Sequence, residues 1–234
     1  MTYRSLAALA ALLISGTAAA APVTFSGTYT IDHYTASDAG PGLITQIQSA
    51  TGGASLDATA PGDRRFSFDL DVGETKTFDF FDIFTSENSI EIDDYIPRAV
   101  EAFFTFEQPA PEFGGDTTGL AFAGLSSSGH GAGYLAWVGD NIFNFTFGEL
   151  GDGLLELRLT DAIYNEGSRN ICVLRFCIAD GFDLDPGAAN KASVTASFTL
   201  VRAASTPVPE PAAVTLFGLG LLGVGIARRK RAIA

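Results

Sequence analysis

The chain has 234 residues, of which 47% are hydrophobic, 18% charged and 11% aromatic, with 14 Lys and Arg against 27 Asp and Glu. So large an apolar share, including 19 Phe, excludes a wholly disordered chain. A formal charge of −13 excludes the basic footprint that duplex nucleic acid requires, so no nucleic-acid partner is expected.

At the N-terminus Arg4 precedes the apolar run Leu6–Ile14, then Ser15-Gly16-Thr17 and four alanines. A basic n-region, a short apolar core and an A-x-A site predict a secretory signal peptide over residues 1–20. The run is far short of the roughly 20 residues that span a bilayer as a helix. Cleavage is expected after Ala20, with Ala18 and Ala20 as the small residues; one residue later, Pro22 would occupy the first mature position.

The body, residues 21–206, is more acidic than the whole chain. Five of the 14 basic residues (Arg4, Arg228, Arg229, Lys230, Arg231) and Glu210 lie in the end segments, leaving 9 basic against 26 acidic side chains, a net −17. Such a surface stays soluble, repels anionic polymers and attracts divalent cations. Its hydrophobic period is 2. Phe66, Phe68, Leu70 and Val72 alternate with polar residues, and Val100, Ala102, Phe104 and Phe106 repeat the pattern. So do Phe143, Phe145 and Phe147; Leu155, Leu157 and Leu159; and Val194, Ala196, Phe198 and Leu200. At Phe80-Phe81 the phase slips, which predicts a β-bulge or a new strand. Turn signals separate the runs at Pro41-Gly42, Gly52-Gly53, Pro61-Gly62-Asp63, Gly114-Gly115-Asp116, Gly139-Asp140-Asn141, Gly151-Asp152-Gly153 and Asp185-Pro186-Gly187. About ten strands, each with one apolar face, predict an all-β fold: a β-sandwich of jelly-roll type, with no strand order legible.

Chemistry is sparse in this body. Cys172 and Cys177 are the only cysteines, and export carries them to an oxidising compartment. On one straight strand they would lie about 16 Å apart, so a disulfide needs a turn within Val173-Leu174-Arg175-Phe176. Those are strand-forming residues. Disulfide and two separate buried thiols both stay open, with export favouring the bond. His33 and His130 are the only imidazoles. His130 follows Ser126-Ser127-Ser128-Gly129, but the G-x-S-x-G elbow of a serine hydrolase is missing, and a Gly/Ser-rich loop is the better account. The clusters Glu91, Asp93, Asp94 and Asp180, Asp183, Asp185 could each be imagined as a glycosidase pair, yet an exposed acidic strand face predicts the same residues. The expectation is a protein without catalysis and without a required cofactor. Calcium is the one metal considered, with Asp180, Asp183 and Asp185 on their loop as weak ligand candidates and a solvated acidic loop as the favoured reading. Tyr134 and Trp137 are the best candidates for stacking on a sugar.

After a short linker near Arg202–Pro207 come Val208-Pro209-Glu210-Pro211, sixteen uncharged residues from Ala212 to Ala227, and Arg228-Arg229-Lys230-Arg231. Sixteen helical residues reach about 24 Å, slightly short of a ~30 Å hydrocarbon core, a mismatch that flanking residues and local thinning absorb. The basic cluster would hold the last residues on the cytoplasmic side. Gly218-Leu219-Gly220-Leu221-Leu222-Gly223 spells G-x-G-x-x-G, but no strand precedes it and no acidic residue follows, so a glycine-rich membrane helix over 212–227 explains it better.

Pro-Glu-Pro, a short Gly/Leu-rich helix and a terminal arginine cluster, in that order, resemble the PEP-CTERM sorting signal, a tail also labelled ice-binding protein C-terminal domain. The resemblance covers 207–234 and carries over to Val208, Pro209, Glu210, Pro211, Arg228, Arg229, Lys230 and Arg231. It implies a Gram-negative envelope and an exosortase that recognises the Pro-Glu-Pro segment and removes the helix, usually in an exopolysaccharide or biofilm setting. The expected partners are the secretion machinery, the exosortase, the inner membrane before processing, and exopolysaccharide. The expected location is the cell surface or extracellular matrix, and the expected role structural or adhesive. The alternative from another class is a carbohydrate-binding module or glycan-active enzyme on the same sandwich.

Overall fold

The computed structural model describes residues 21–33, 41–50 and 64–205. The signal segment with Ala18 and Ala20, the sorting residues 208–211 and 228–231, and the apolar run 212–227 lie outside the described residues. Among the described residues no helix is long and apolar enough to cross a membrane.

Thirteen strands and one short 3-10 turn follow one another along the described chain. They are β1 (Val23–His33), β2 (Thr45–Ser49), β3 (Arg65–Leu70), β4 (Thr75–Thr85), β5 (Arg98–Gln108), β6 (Phe113–Leu125), β7 (Gly131–Trp137), β8 (Ile142–Phe147), β9 (Gly153–Leu159), β10 (Ala162–Tyr164), β11 (Asn170–Val173), β12 (Phe176–Ala179) and β13 (Ala192–Arg202). A six-stranded sheet runs β10-β7-β6-β5-β1-β3 and a five-stranded sheet β2-β4-β13-β9-β8, while β11 and β12 form a separate ribbon. All pairings are antiparallel. The two large sheets face one another as an all-β sandwich.

The alternation read in the sequence is the alternation of burial. Phe66, Phe68 and Leu70 on β3 are buried while Arg65, Ser67 and Asp69 are exposed. The same holds for Val100, Ala102, Phe104 and Phe106 on β5 and Leu155, Leu157 and Leu159 on β9. Aromatic rings close the space between the sheets: Phe68 meets Phe198 at 4.9 Å, Tyr29 meets Phe80 at 4.9 Å, and Phe25 meets Phe147 edge-on at 5.3 Å. Among the described residues every fully buried member of this core lies between Phe25 and Leu200.

The phase slip at Phe80-Phe81 is a bulge. Val194 pairs with Phe81 and Thr195 with Asp79, leaving Phe80 as the extra residue, and both phenylalanines turn inward. The shift also buries Asp82. Burial raises its pKa, but Lys191 Nζ at 2.6 Å, Ser193 Oγ at 2.6 Å and Gln48 Nε2 hold the carboxyl below the usual range.

Several expectations need correcting. Gly114-Gly115-Asp116 is no turn but part of β6, and a Cβ on Gly114 would sit 2.1 Å from the Phe104 carbonyl. Glycine is there because β5 comes too close for a side chain, a requirement a single sequence presents in the same letters as a turn. Val72 is exposed rather than inward, because β3 stops at Leu70 and Glu74 N–H closes onto the Asp71 carbonyl. Three short strands beyond the expected ten come from the segment between Ala162 and Ala179, which lacks a long alternating run.

The sandwich has two distinct poles. Val23, Pro109, Gly148 and Ser205 gather at one, so both ends of the described body leave from the same side. There β6 begins at Phe113, against Phe147. Its 13 residues end at Leu125, which touches Gly181 beside the β11–β12 ribbon. At about 3.4 Å per residue the two poles stand roughly 40 Å apart.

Candidate functional site

The far pole, away from Ser205, collects most of the unusual chemistry of the described body. Asn165, just after β10, is buried with φ near 51° and organises it. Its Oδ1 accepts the Thr85 N–H at 2.8 Å, and its Nδ2 donates to the Asp185 and Gly187 carbonyls. An Asn tolerates this left-handed backbone because its short side chain bonds locally. The end of β4, the end of β10 and the segment before β13 are thereby tied together.

From Thr85 the chain enters the loop that leads to β5. A pocket of about 420 Å³ opens there, lined by Glu87, Glu91, Asp93, Asp94 and the polar Ser86, Asn88 and Ser89, with Gly42 and Ile44. Asp94, 3% exposed, accepts the Glu91 N–H at 2.7 Å, and Glu87 accepts the Ile44 N–H at 2.9 Å. The two carboxyls also share a hydrogen bond. Burial, then the Asp94 and Glu91 charges, push Glu87 up to about 7, so below neutrality it keeps a proton that an ordinary glutamate has lost. Burial raises Asp94 as well. Beside them the hydroxyl of Tyr164 is buried without a hydrogen-bond partner among the described residues. Burial and the charges of Glu87 and Asp94 raise its pKa. Its ring lies flat across Gly133, where a Cβ would come within 2.5 Å of the ring carbons.

This pair cannot act as the carboxylates of a glycosidase, which stand about 5–9.5 Å apart to admit the glycosidic oxygen or a water. Two carboxyls in direct hydrogen bond leave no such room, and among the described residues no aromatic ring lines the pocket to stack on a sugar. The pair was hidden from sequence reading in part. Asp94 stood in an evident acidic cluster, but nothing about Glu87 foretold that the β4 exit would bring it onto Asp94.

The other residues singled out in the sequence are placed as follows. Asp183 is buried and accepts N–H donors from Ser168 and Arg169, with the Arg169 guanidinium at 3.5 Å. Asp180 caps its own turn through the Phe182 N–H and lies 3.9 Å from Arg169. Asp185 supplies its carbonyl to Asn165. Arg169 and backbone N–H donors thus engage the Asp180 and Asp183 carboxylates and tie the loop down. Among the described residues no group of three or more His, Cys, Asp or Glu side chains converges as metal ligands do.

Ser126 and Ser128 both donate to Glu166, which lowers the pKa of that carboxyl; the Ser126 bond measures 2.5 Å. Neither hydroxyl bonds an imidazole, so the base-to-nucleophile contact of a hydrolase is not formed. His130 follows them at the entry to β7, and His33 ends β1 opposite Val100. Trp137 is buried in the core and donates its indole N–H to the Thr160 carbonyl at 3.0 Å, which removes it as a sugar platform. Tyr134 does reach the outer face of its sheet, stacked on Phe122 at 5.6 Å.

Cys172 and Cys177 are joined by a disulfide, with Cα atoms 3.9 Å apart. The turn that looked improbable in the sequence exists. Leu174 and Arg175 both take positive φ, 50° and 81°, giving a two-residue hairpin loop without the Gly or Asn that normally signals one. The cross-link holds the two strands in that register.

No curated protein and no solved structure matches the chain. Residues 207–231 match the family model of the PEP-CTERM protein-sorting motif, which includes Val208-Pro209-Glu210-Pro211 and the basic cluster to Arg231. Residues 207–231 are therefore a PEP-CTERM protein-sorting motif, which supports an exported protein sorted by way of the membrane as an exosortase substrate, and the acidic β-sandwich precedes it in the chain.

Proposed function

We propose that the sandwich is a non-catalytic structural or adhesive component of an exopolysaccharide matrix, displayed at the cell surface or released into the matrix after its tail is removed. The observation that supports this reading is the opposition of the two poles. The body ends at Ser205 beside Val23 and Pro109, so the sorting tail departs from one pole. The pole with the acidic pocket and the apolar ribbon faces away from it, outward while the tail is held in the inner membrane. A net −17 favours hydration and cation-mediated association over direct binding of anionic glycans.

Intact-mass measurement on the native protein tests the processing step. The mature chain should begin at Ala21 and end near Pro209-Glu210, and Glu210→Ala should trap the unprocessed form. Native surface protein that retains residues 212–227 would refute removal of the tail. Polysaccharide pull-down at varied ionic strength tests the role: matrix association without retention on any purified glycan is expected.

A glycan-binding module is the second reading, and one observation favours it. The Phe122–Tyr134 stack lies on an outer sheet face. Retention on a glycan that is lost in Tyr134→Ala would establish that reading instead.

A further inference from the structure

The ribbon of β11 and β12 belongs to neither large sheet. Ile171 pairs with Ile178 and Val173 with Phe176, alternating with the bonded pair Cys172–Cys177. With a period of 2, the four apolar side chains share one face of the ribbon and the disulfide lies on the other. All four are solvent-exposed, at 48% for Ile171, 66% for Ile178, 62% for Val173 and 79% for Phe176, with Leu174 at the turn 90% exposed. Folded monomers seldom present so contiguous an apolar patch without a partner. The ribbon is also pre-organised. The disulfide staples it, Asp180 N–H closes its base onto the Arg169 carbonyl, and Arg169 is held by Asp180 and Asp183. Little ordering entropy is left to be lost on association.

Charge and placement say what covers it. Residues 170–179 contain Arg175 and no acidic side chain, inside a body of net −17, while Arg169 at the base is paired with Asp180 and Asp183. At the same pole, the loop before β5 presents exposed Ile92, Tyr95 and Ile96 beside Glu91 and Asp93 at the pocket. One pole thus carries both a basic apolar ribbon and an acidic apolar rim. Two copies related by a two-fold axis satisfy both at once, ribbon to rim and rim to ribbon, as isologous contacts require. A lipid surface fits less well, because the ribbon lies at the pole opposite the departing tail.

We infer that the β11–β12 ribbon is a homodimerisation element: two copies meet far pole to far pole, each burying Ile171, Val173, Leu174, Phe176 and Ile178 against the partner and setting Arg175 against the partner's acidic rim. Covering these side chains on both copies hides on the order of 1,200 Å², at the lower end of specific interfaces. The contact goes beyond the proposed matrix role and requires no glycan.

Sedimentation equilibrium of residues 21–206, which contain every core residue of the described chain, tests it from about 1 μM to 1 mM. The monomer mass should double within that range. Phe176→Ser/Ile178→Ser should weaken association at least tenfold, Arg175→Glu should weaken it as well, and Val138→Ser, an exposed apolar residue outside the ribbon, should not. Buried Trp137 fluorescence verifies that each variant is folded. A wild-type monomer at 1 mM would overturn the inference, as would a dimer that the double variant leaves unchanged. Co-sedimentation with vesicles of phosphatidylcholine and phosphatidylglycerol, abolished in the double variant while the protein stays monomeric, would assign the ribbon to membrane instead.

Discussion

Glu87→Gln isolates the buried acid pair. Glu87 titrates near 7 in the folded protein against its ordinary value of 4.5, because burial and the neighbouring Asp94 and Glu91 charges disfavour its ionised form. The folded state therefore keeps a proton between pH 4.5 and 7 that the unfolded chain has given up. Stability from this group is fully present below pH 4.5 and is lost as pH rises through 7. Realised in full, such a shift corresponds to about 3 kcal/mol. Partial solvent screening and the proton's sharing with Asp94 bring the expected loss between pH 5.5 and 8.5 to about 1–2 kcal/mol. Glutamine stays neutral throughout that range. Its amide can donate to Asp94 in place of the acidic proton, and its oxygen can accept the Ile44 N–H that Glu87 accepts now. Urea unfolding of residues 21–206 at the two pH values should show the variant about as stable as wild type at pH 5.5 and about 1–2 kcal/mol more stable at pH 8.5. Parallel pH profiles for the two proteins would show that Glu87 is not the group that titrates. A variant weakened equally at both pH values would show that the carboxyl acts only through its hydrogen bonds.

Lys191→Met removes the cation from Asp82, a carboxyl with no exposure, and should cost about 3 kcal/mol in urea unfolding at pH 7; a loss below about 0.5 kcal/mol, as for a surface pair, would mean that the remaining partners of Asp82 suffice. Phe106→Ala empties a site ringed by Phe25, Phe66, Phe113 and Phe145 and should cost about 3–5 kcal/mol, read from the same unfolding curves. Cys172→Ser/Cys177→Ser should raise amide exchange across residues 170–179 while leaving exchange in β5, β9 and β13 unchanged, because the ribbon contributes no member to the core.

Local pattern alone specified a large part of this fold. Period-2 alternation assigned the inward residues of β3, β5, β9 and β13, since a one-residue slip would turn every side chain to the other face and expose the phenylalanines. The same parity located the bulge at Phe80-Phe81. The sorting tail was legible because its three parts are contiguous and act as an address, independent of any packing. The rest depends on residues far apart in the chain and took the packed sheets to fix. Strand order brings β13 between β4 and β9, and this places Lys191 on Asp82 across 109 residues. Glycine reads alike in a turn and under a crowding strand, so Gly114 could be assigned only once β5 lay against it. Trp137 is equally at home in a core and on a binding face, and burial decides between them only when the second sheet is in place. The same holds for the far pole. Glu87, Asp94, Tyr164 and the ribbon meet there because loops from four separate strand ends converge, and no periodicity in a sequence records which loops share an end.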